Sequence, residues 1–179
     1  MTAAGLSTTP GPSVPEGWVA GTRTIDPAHT TVSFVVHHLM SRVRGTFSDV
    51  SGQVVTSPDP SGSTAAAVIA VSSVSTGNQM RDDHLRSADF FDADKYPEMR
   101  FASTALRPAD DSWVLAGELT IRDVTRPVDL EVEFLGTDPD GLLGEPRIGF
   151  SARAVVSRRD FGITFPAVDG TKIVAEEGR

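Results

Sequence analysis

The 179-residue chain has no cysteine. Its absence excludes disulfide frameworks, thiolate metal centres, iron–sulfur clusters and cysteine nucleophiles together. Positive charge is also scarce: 16 Lys and Arg stand against 24 Asp and Glu, a formal net charge of −8. Phosphate affinity comes from clustered cations, so a nucleic-acid partner is not expected. Anionic membrane surfaces repel such a chain on average, and no run approaches the ~18 apolar residues of a spanning helix, so stable membrane insertion is not expected either. Residues 1–17 lack the basic and apolar regions of a secretory signal, which makes the cytoplasm the expected location. No glycine-rich phosphate loop occurs, and no serine sits in a strand–turn–helix elbow.

The first 17 residues carry Pro10, Pro12, Pro15, Gly5, Gly11 and Gly17, with Glu16 as their only ionised side chain. That composition predicts a flexible N-terminal tail over 1–17, followed by one domain over 18–179. From Trp18 onward the pattern is period two. In Val128–Phe134, Val128, Leu130, Val132 and Phe134 alternate with Asp129, Glu131 and Glu133. One face is apolar and the other acidic, the signature of a half-buried antiparallel strand. Ile148, Phe150, Ala152, Ala154 and Val156 make a second inward row, and Trp113, Leu115, Gly117, Leu119 and Ile121 a third. Val32, Phe34, Val36 and His38 share one face of an earlier strand. Strands at this spacing without alternating helices predict an all-β sandwich or barrel. One segment departs from the pattern: residues 78–87 are polar, lack β-branched side chains and start at Asn78, a good N-cap, predicting one short helix.

Few residues offer chemistry. His37 and His38 are neighbours on a strand and point to opposite faces, so they do not share an ion. His84 stands in Arg81-Asp82-Asp83-His84-Leu85-Arg86 with no ligand pair at a familiar spacing. No metal site, cofactor or catalytic residue is therefore assigned. Asp82, Asp83, Asp89 and Asp92 are dense, but Arg81 and Arg86 stand beside them, as on a solvated charged face. About eight strands leave an interior that side chains just fill or that holds one small ligand.

Several blocks carry a resemblance. They are Ile25-Asp26-Pro27-Ala28-His29-Thr30-Thr31-Val32-Ser33-Phe34, His38-Leu39-Met40 with Val43-Arg44-Gly45-Thr46-Phe47, and Thr76-Gly77-Asn78 through Arg86 with Phe90-Phe91-Asp92 and Tyr96-Pro97. Gly117-Glu118-Leu119-Thr120-Ile121 with Val124-Thr125-Arg126-Pro127-Val128, and Arg158-Arg159-Asp160-Phe161-Gly162, complete them. In this order they resemble the YceI-like family of polyisoprenoid-binding, lipocalin-like proteins, from about Trp18 to Asp160.

The resemblance implies an extended antiparallel lipocalin-like β-barrel whose interior takes a long isoprenoid chain or isoprenoid quinone, for transport, storage or sequestration. It implies no enzyme activity. The matched motifs give the expected lining: Val32, Phe34, Val36, His38, Phe47, Leu119, Ile121, Val128, Leu130, Val132 and Phe134. Met80, Leu85 and Phe90 are expected to close one side, and parity adds Phe101 and Phe150. His38 would reach a headgroup if it stood at a mouth. Two other readings stay open: a filled-core structural module related to stress, and an enzyme acting on an isoprenoid lipid through Arg81, Asp82, His84, Arg158 and Asp160. The charged end, Glu176-Glu177-Gly178-Arg179, suggests that the last barrel strand is missing. An open edge of that kind would pair with a second copy as a homodimer.

Overall fold

The computed structural model describes residues 13–38, 41–141, 144–166 and 171–177. They build one antiparallel sheet from β1 (Gly21–Thr24), β2 (Thr30–His38), β3 (Ser41–Phe47), β4 (Val50–Thr56), β5 (Thr64–Ala70), β6 (Val74–Ser75), β7 (Glu98–Pro108), β8 (Trp113–Ile121), β9 (Val124–Asp138), β10 (Arg147–Arg153) and β11 (Thr171–Glu177). The helix α1 (Gln79–Arg86) lies between β6 and β7.

These eleven segments act as eight long strands. β1 and β2 are halves of one strand bent at residues 25–29, β3 and β4 are halves of another bent at Ser48-Asp49, and a 3-10 turn at Val71–Ser73 separates β5 from β6. β1 pairs with β4 while β2 pairs with β3, so the first two long strands form one bent hairpin. On its other side, β4 pairs with β5 and β3 with β6. The ladder then runs through β7, β8, β9 and β10, and β11 joins β10 to β2. The pairing returns on itself, giving the expected all-β barrel of about eight strands.

The last strand is present, which overturns the expectation that it was missing. Thr171–Glu177 pairs with β2 from Thr171↔Val36 to Glu177↔Thr30, and with β10 from Ser151↔Glu176 to Arg153↔Val174. Ladder hydrogen bonds come from the backbone, so two glutamates do not prevent a strand from forming. With both neighbours of β11 paired, the open-edge argument for a homodimer no longer applies.

The predicted helix forms where its cap places it. The Asn78 side-chain oxygen accepts from the Arg81 backbone N–H at 3.0 Å, satisfying one of the free donors of the first turn. Asp82, buried, accepts from the backbone N–H and the hydroxyl of Thr76 at 2.8 and 2.5 Å. Leu85 packs inward, as do Phe90 and Phe91 just beyond the helix.

Two apolar clusters divide the interior. The larger contains Phe34, Phe47, Val71, Val74, Phe161 and Ile163, and α1 with its following loop packs over it. The smaller is built on Leu106, Trp113, Leu115 and Val132, with Phe101, Leu130, Phe150 and Ala152 only partly buried against it. Inward side chains that remain partly exposed mark the half of the barrel that is not filled.

Candidate apolar binding cavity

The unfilled half holds a half-open cavity of about 240 Å³, just below the ~300–1,000 Å³ of typical small-molecule pockets. Its walls are the inward rows of β4, β5, β7, β8, β9 and β10, where alternate residues face one side of the sheet. Leu115, Leu119, Val128, Leu130, Val132 and Phe150 form one side, facing Val54, Ala65 and Ala67 on the other. Val32, Val50, Ile69 and Val156 belong both to the cavity wall and to the larger core cluster, so they are the floor.

Two close approaches of a ring to a glycine shape this interior. Phe101 lies over Gly117, where a Cβ would stand 2.5 Å from the ring's Cζ. Phe34 lies over Gly45, where a Cβ would stand 2.2 Å from the corresponding atom. At Gly117 the missing side chain lets Phe101 lie against the wall and leaves space in the centre. At Gly45 it lets Phe34 pack against Phe47, with ring centroids 5.5 Å apart.

The polar groups at the upper rim are turned into the protein. Thr56 Oγ1 donates to the Val19 carbonyl at 2.7 Å, and Ser63 Oγ accepts from the Ser57 N–H at 3.0 Å. The face left for a ligand is therefore carbon. Trp18 covers the rim: its indole N–H donates to the Ser57 carbonyl at 2.8 Å, and its ring meets Phe134 and Phe150 edge-on at 5.5 and 5.8 Å. Gly17, expected in the tail, accepts at its carbonyl from the Thr137 hydroxyl at 2.6 Å.

Beside the cavity lies a larger cleft of about 780 Å³, which shares Ile25, Thr30, Val54, Thr56 and Phe150 with it. The cleft carries Arg23, Asp26, His29, Asp138, Glu145 and Arg147. Asp26 accepts from His29 Nδ1 at 2.8 Å and lies 3.7 Å from Arg147. The hydrogen bond from His29 is the main reason its carboxyl sits below the ordinary carboxylate range, with the Ala28 N–H and Arg147 adding to it.

Seven of the residues expected in the lining are there: Val32, Phe101, Leu119, Val128, Leu130, Val132 and Phe150. Phe34, Phe47 and Ile121 are buried, and Val36 packs against the same core, below the cavity rather than around it. Leu85 and Phe90 pack on that core from outside. Met80 faces solvent at 83% exposure, because the inward side of α1 is taken by Asp82 and Leu85. Phe134 supports Trp18 at the rim. His38 pairs with Ser41 at the tip of the β2–β3 hairpin, beyond Phe34 and away from the rim, and its side chain lies outside the described residues.

Sequence reasoning missed Trp18, Val50, Val54, Ala65, Ala67, Ile69, Leu106 and Val156 as lining residues. Of these, only Val156 stands in one of the alternating rows read from the sequence, as the last member of the row that begins at Ile148. None of Arg81, Asp82, His84, Arg158 and Asp160 lines the cavity or the cleft. Arg81 and Asp82 are engaged with Thr76, while His84 Nε2 meets Asp89 at 2.9 Å.

An antiparallel barrel with one filled half and one hollow, carbon-lined half has the architecture of the lipocalin-like barrels. The YceI-like domain family matches residues 24–179, and the chain belongs to that family. Protein YceI of Shigella flexneri is 37% identical over 137 residues, covering 75% of this chain and 71% of the relative. BcnA of Burkholderia cenocepacia superposes with a TM-score of 0.74 at 26% identity, covering 84% of this chain and 96% of BcnA. A polyisoprenoid binding domain from Saccharophagus degradans, implicated in plant cell wall breakdown, shares the fold with a TM-score of 0.59 at 13% identity, covering 90% of this chain and all of that domain.

Proposed function

We propose that this protein binds the chain of a long isoprenoid-type lipid, a polyprenyl compound or isoprenoid quinone, and carries, stores or sequesters it. The observation that supports this reading is the cavity itself, a half-open space walled almost wholly by carbon, with Thr56 and Ser63 at its rim hydrogen-bonded to backbone. Such a wall offers no chemistry to a substrate and only one driving force, removal of apolar surface from water, worth about 0.8 kcal/mol per buried CH2. Each isoprene unit then adds roughly 3–4 kcal/mol before ordering costs are met. Membership of the YceI-like family and the ligand named for the Saccharophagus domain point the same way.

The test is native mass spectrometry of the purified protein, followed by organic extraction and identification of the extract. A stoichiometric adduct that extracts as a prenyl lipid is the expected result. A bare mass that stays unchanged after incubation with prenyl alcohols and quinones refutes the proposal.

A further inference from the structure

The charged cleft beside the cavity has a composition that selects among lipids with the same chain. Three carboxylates (Asp26, Asp138 and Glu145) face two guanidiniums, Arg23 and Arg147. Asp26 is already held by His29 and Arg147. Arg23 is turned toward Thr56 Oγ1 at 3.0 Å and the Val19 carbonyl at 3.3 Å. Asp138 and Glu145, both exposed, have no ion-pair partner among the described residues. The excess charge at the opening is thus negative, on a chain whose formal net charge is −8.

Because the cleft and the cavity share a wall, a lipid whose tail fills the cavity presents its headgroup here. We infer that the cleft takes an uncharged, hydrogen-bonding headgroup (a hydroxyl, carbonyl or amide) and discriminates against phosphate and diphosphate esters of the same chain. A neutral group can accept from a guanidinium and donate to a carboxylate or to a threonine oxygen without a Coulomb penalty. A diphosphate would bring its charges against Asp138 and Glu145 in a partly solvated cleft, where like charges repel and select against the wrong partner. This inference rests on the chain-binding reading and adds to it the class of headgroup.

The test compares a sesquiterpenoid prenyl alcohol with its own diphosphate, titrated into the full chain by calorimetry at low salt and neutral pH. The alcohol is expected to bind at least about tenfold more tightly, with a gap that narrows as salt screens the cleft. The double variant Asp138→Asn/Glu145→Gln is expected to narrow the gap by tightening the diphosphate. A diphosphate that binds as well as the alcohol, or a double variant that leaves the gap unchanged, overturns the headgroup inference while chain binding stands. Failure of both probes to bind overturns the chain-binding reading, and this inference with it.

Discussion

Adding one methyl group at Gly117 and at Gly45 should have different consequences, although both glycines lie under a phenylalanine ring. At Gly45 a Cβ meets three atoms of Phe34 at 2.2, 2.6 and 2.9 Å. Phe34 is 6% exposed and packed on Phe47, so its ring has nowhere to move. At Gly117 a Cβ meets Phe101 Cζ and Cε2 at 2.5 and 2.6 Å and the Ala102 carbonyl at 2.6 Å. Phe101 borders the cavity, so its ring can swing into the open space. Overpacking a core costs about 1–3 kcal/mol, and for a chain of this length each kcal/mol moves the melting temperature by about 2–4 °C. Gly45→Ala should fall at the upper end, a loss of about 6–12 °C, with prenyl-alcohol affinity unchanged. Gly117→Ala keeps a clash with the Ala102 carbonyl that movement of the ring does not relieve, so its stability loss should be comparable, yet its affinity should also drop by about tenfold or more, because the displaced ring occupies the space of the chain. Thermal unfolding followed by circular dichroism, paired with calorimetric titration of the alcohol, reads both quantities. Phe101→Leu placed on Gly117→Ala should recover much of the lost affinity, while the clash with the Ala102 carbonyl persists in stability. Equal loss of binding in both alanine variants, or a Gly117→Ala protein unchanged in both measurements, refutes the assignment of Phe101 as the residue that sets the bore.

Trp18→Ala removes the indole hydrogen bond and two edge-on ring contacts at the rim. It should cost about 2 kcal/mol, below the range for a fully buried tryptophan, and speed lipid release in stopped-flow measurements; an unchanged off-rate sinks its role as a cover. Asn78→Ala should cost about 1 kcal/mol through loss of the N-cap, with faster amide exchange confined to α1; uniform exchange rates across the chain count against it. Asp26 titrates below the ordinary carboxylate range in the folded protein. Its stabilisation is therefore present above that range and lost as pH falls through the folded value. Carbon-detected NMR should find its midpoint lowered and, in His29→Ala, shifted back toward the ordinary value; the same midpoint in both proteins rules out the hydrogen bond as the cause.

Which residues face inward was legible in the sequence; how far along the barrel they sit was not. Alternation fixes the face of a strand because successive side chains point to opposite sides. It turned Val32, Leu119, Val128, Leu130 and Val132 inward, the family resemblance made them expected lining, and parity alone added Phe101 and Phe150; all seven border the cavity. Phe34 and Ile121, inward by the same rule, and Phe47, expected from the resemblance, lie in the filled half. Their depth depends on the stagger between paired strands and on where the bent hairpin folds over, which are properties of the closed ring. Trp18 had no periodic neighbour to assign it, since it reaches the rim from an irregular segment. β11 was obscured by its terminal glutamates, although its place was determined by backbone groups on β10 and β2 that needed a partner.

The division into a filled and a hollow half gives the site a direction. If both halves were open, a chain could pass through the barrel and either end could carry the headgroup. Here Val32, Val50, Ile69 and Val156 close the cavity floor, and Phe47, Val74 and Phe161 lie packed in the cluster to which they belong. A chain entering from the Trp18 side must therefore stop at that floor, with its apolar end innermost and its polar end at the charged cleft. Shortening a floor residue, as in Ile69→Ala, should then lengthen the best-bound chain rather than weaken binding uniformly. A homologous series of prenyl alcohols titrated into both proteins should show its optimum moved to a longer member. If the optimum stays in place while every affinity falls by the same factor, the floor is not where the chain ends.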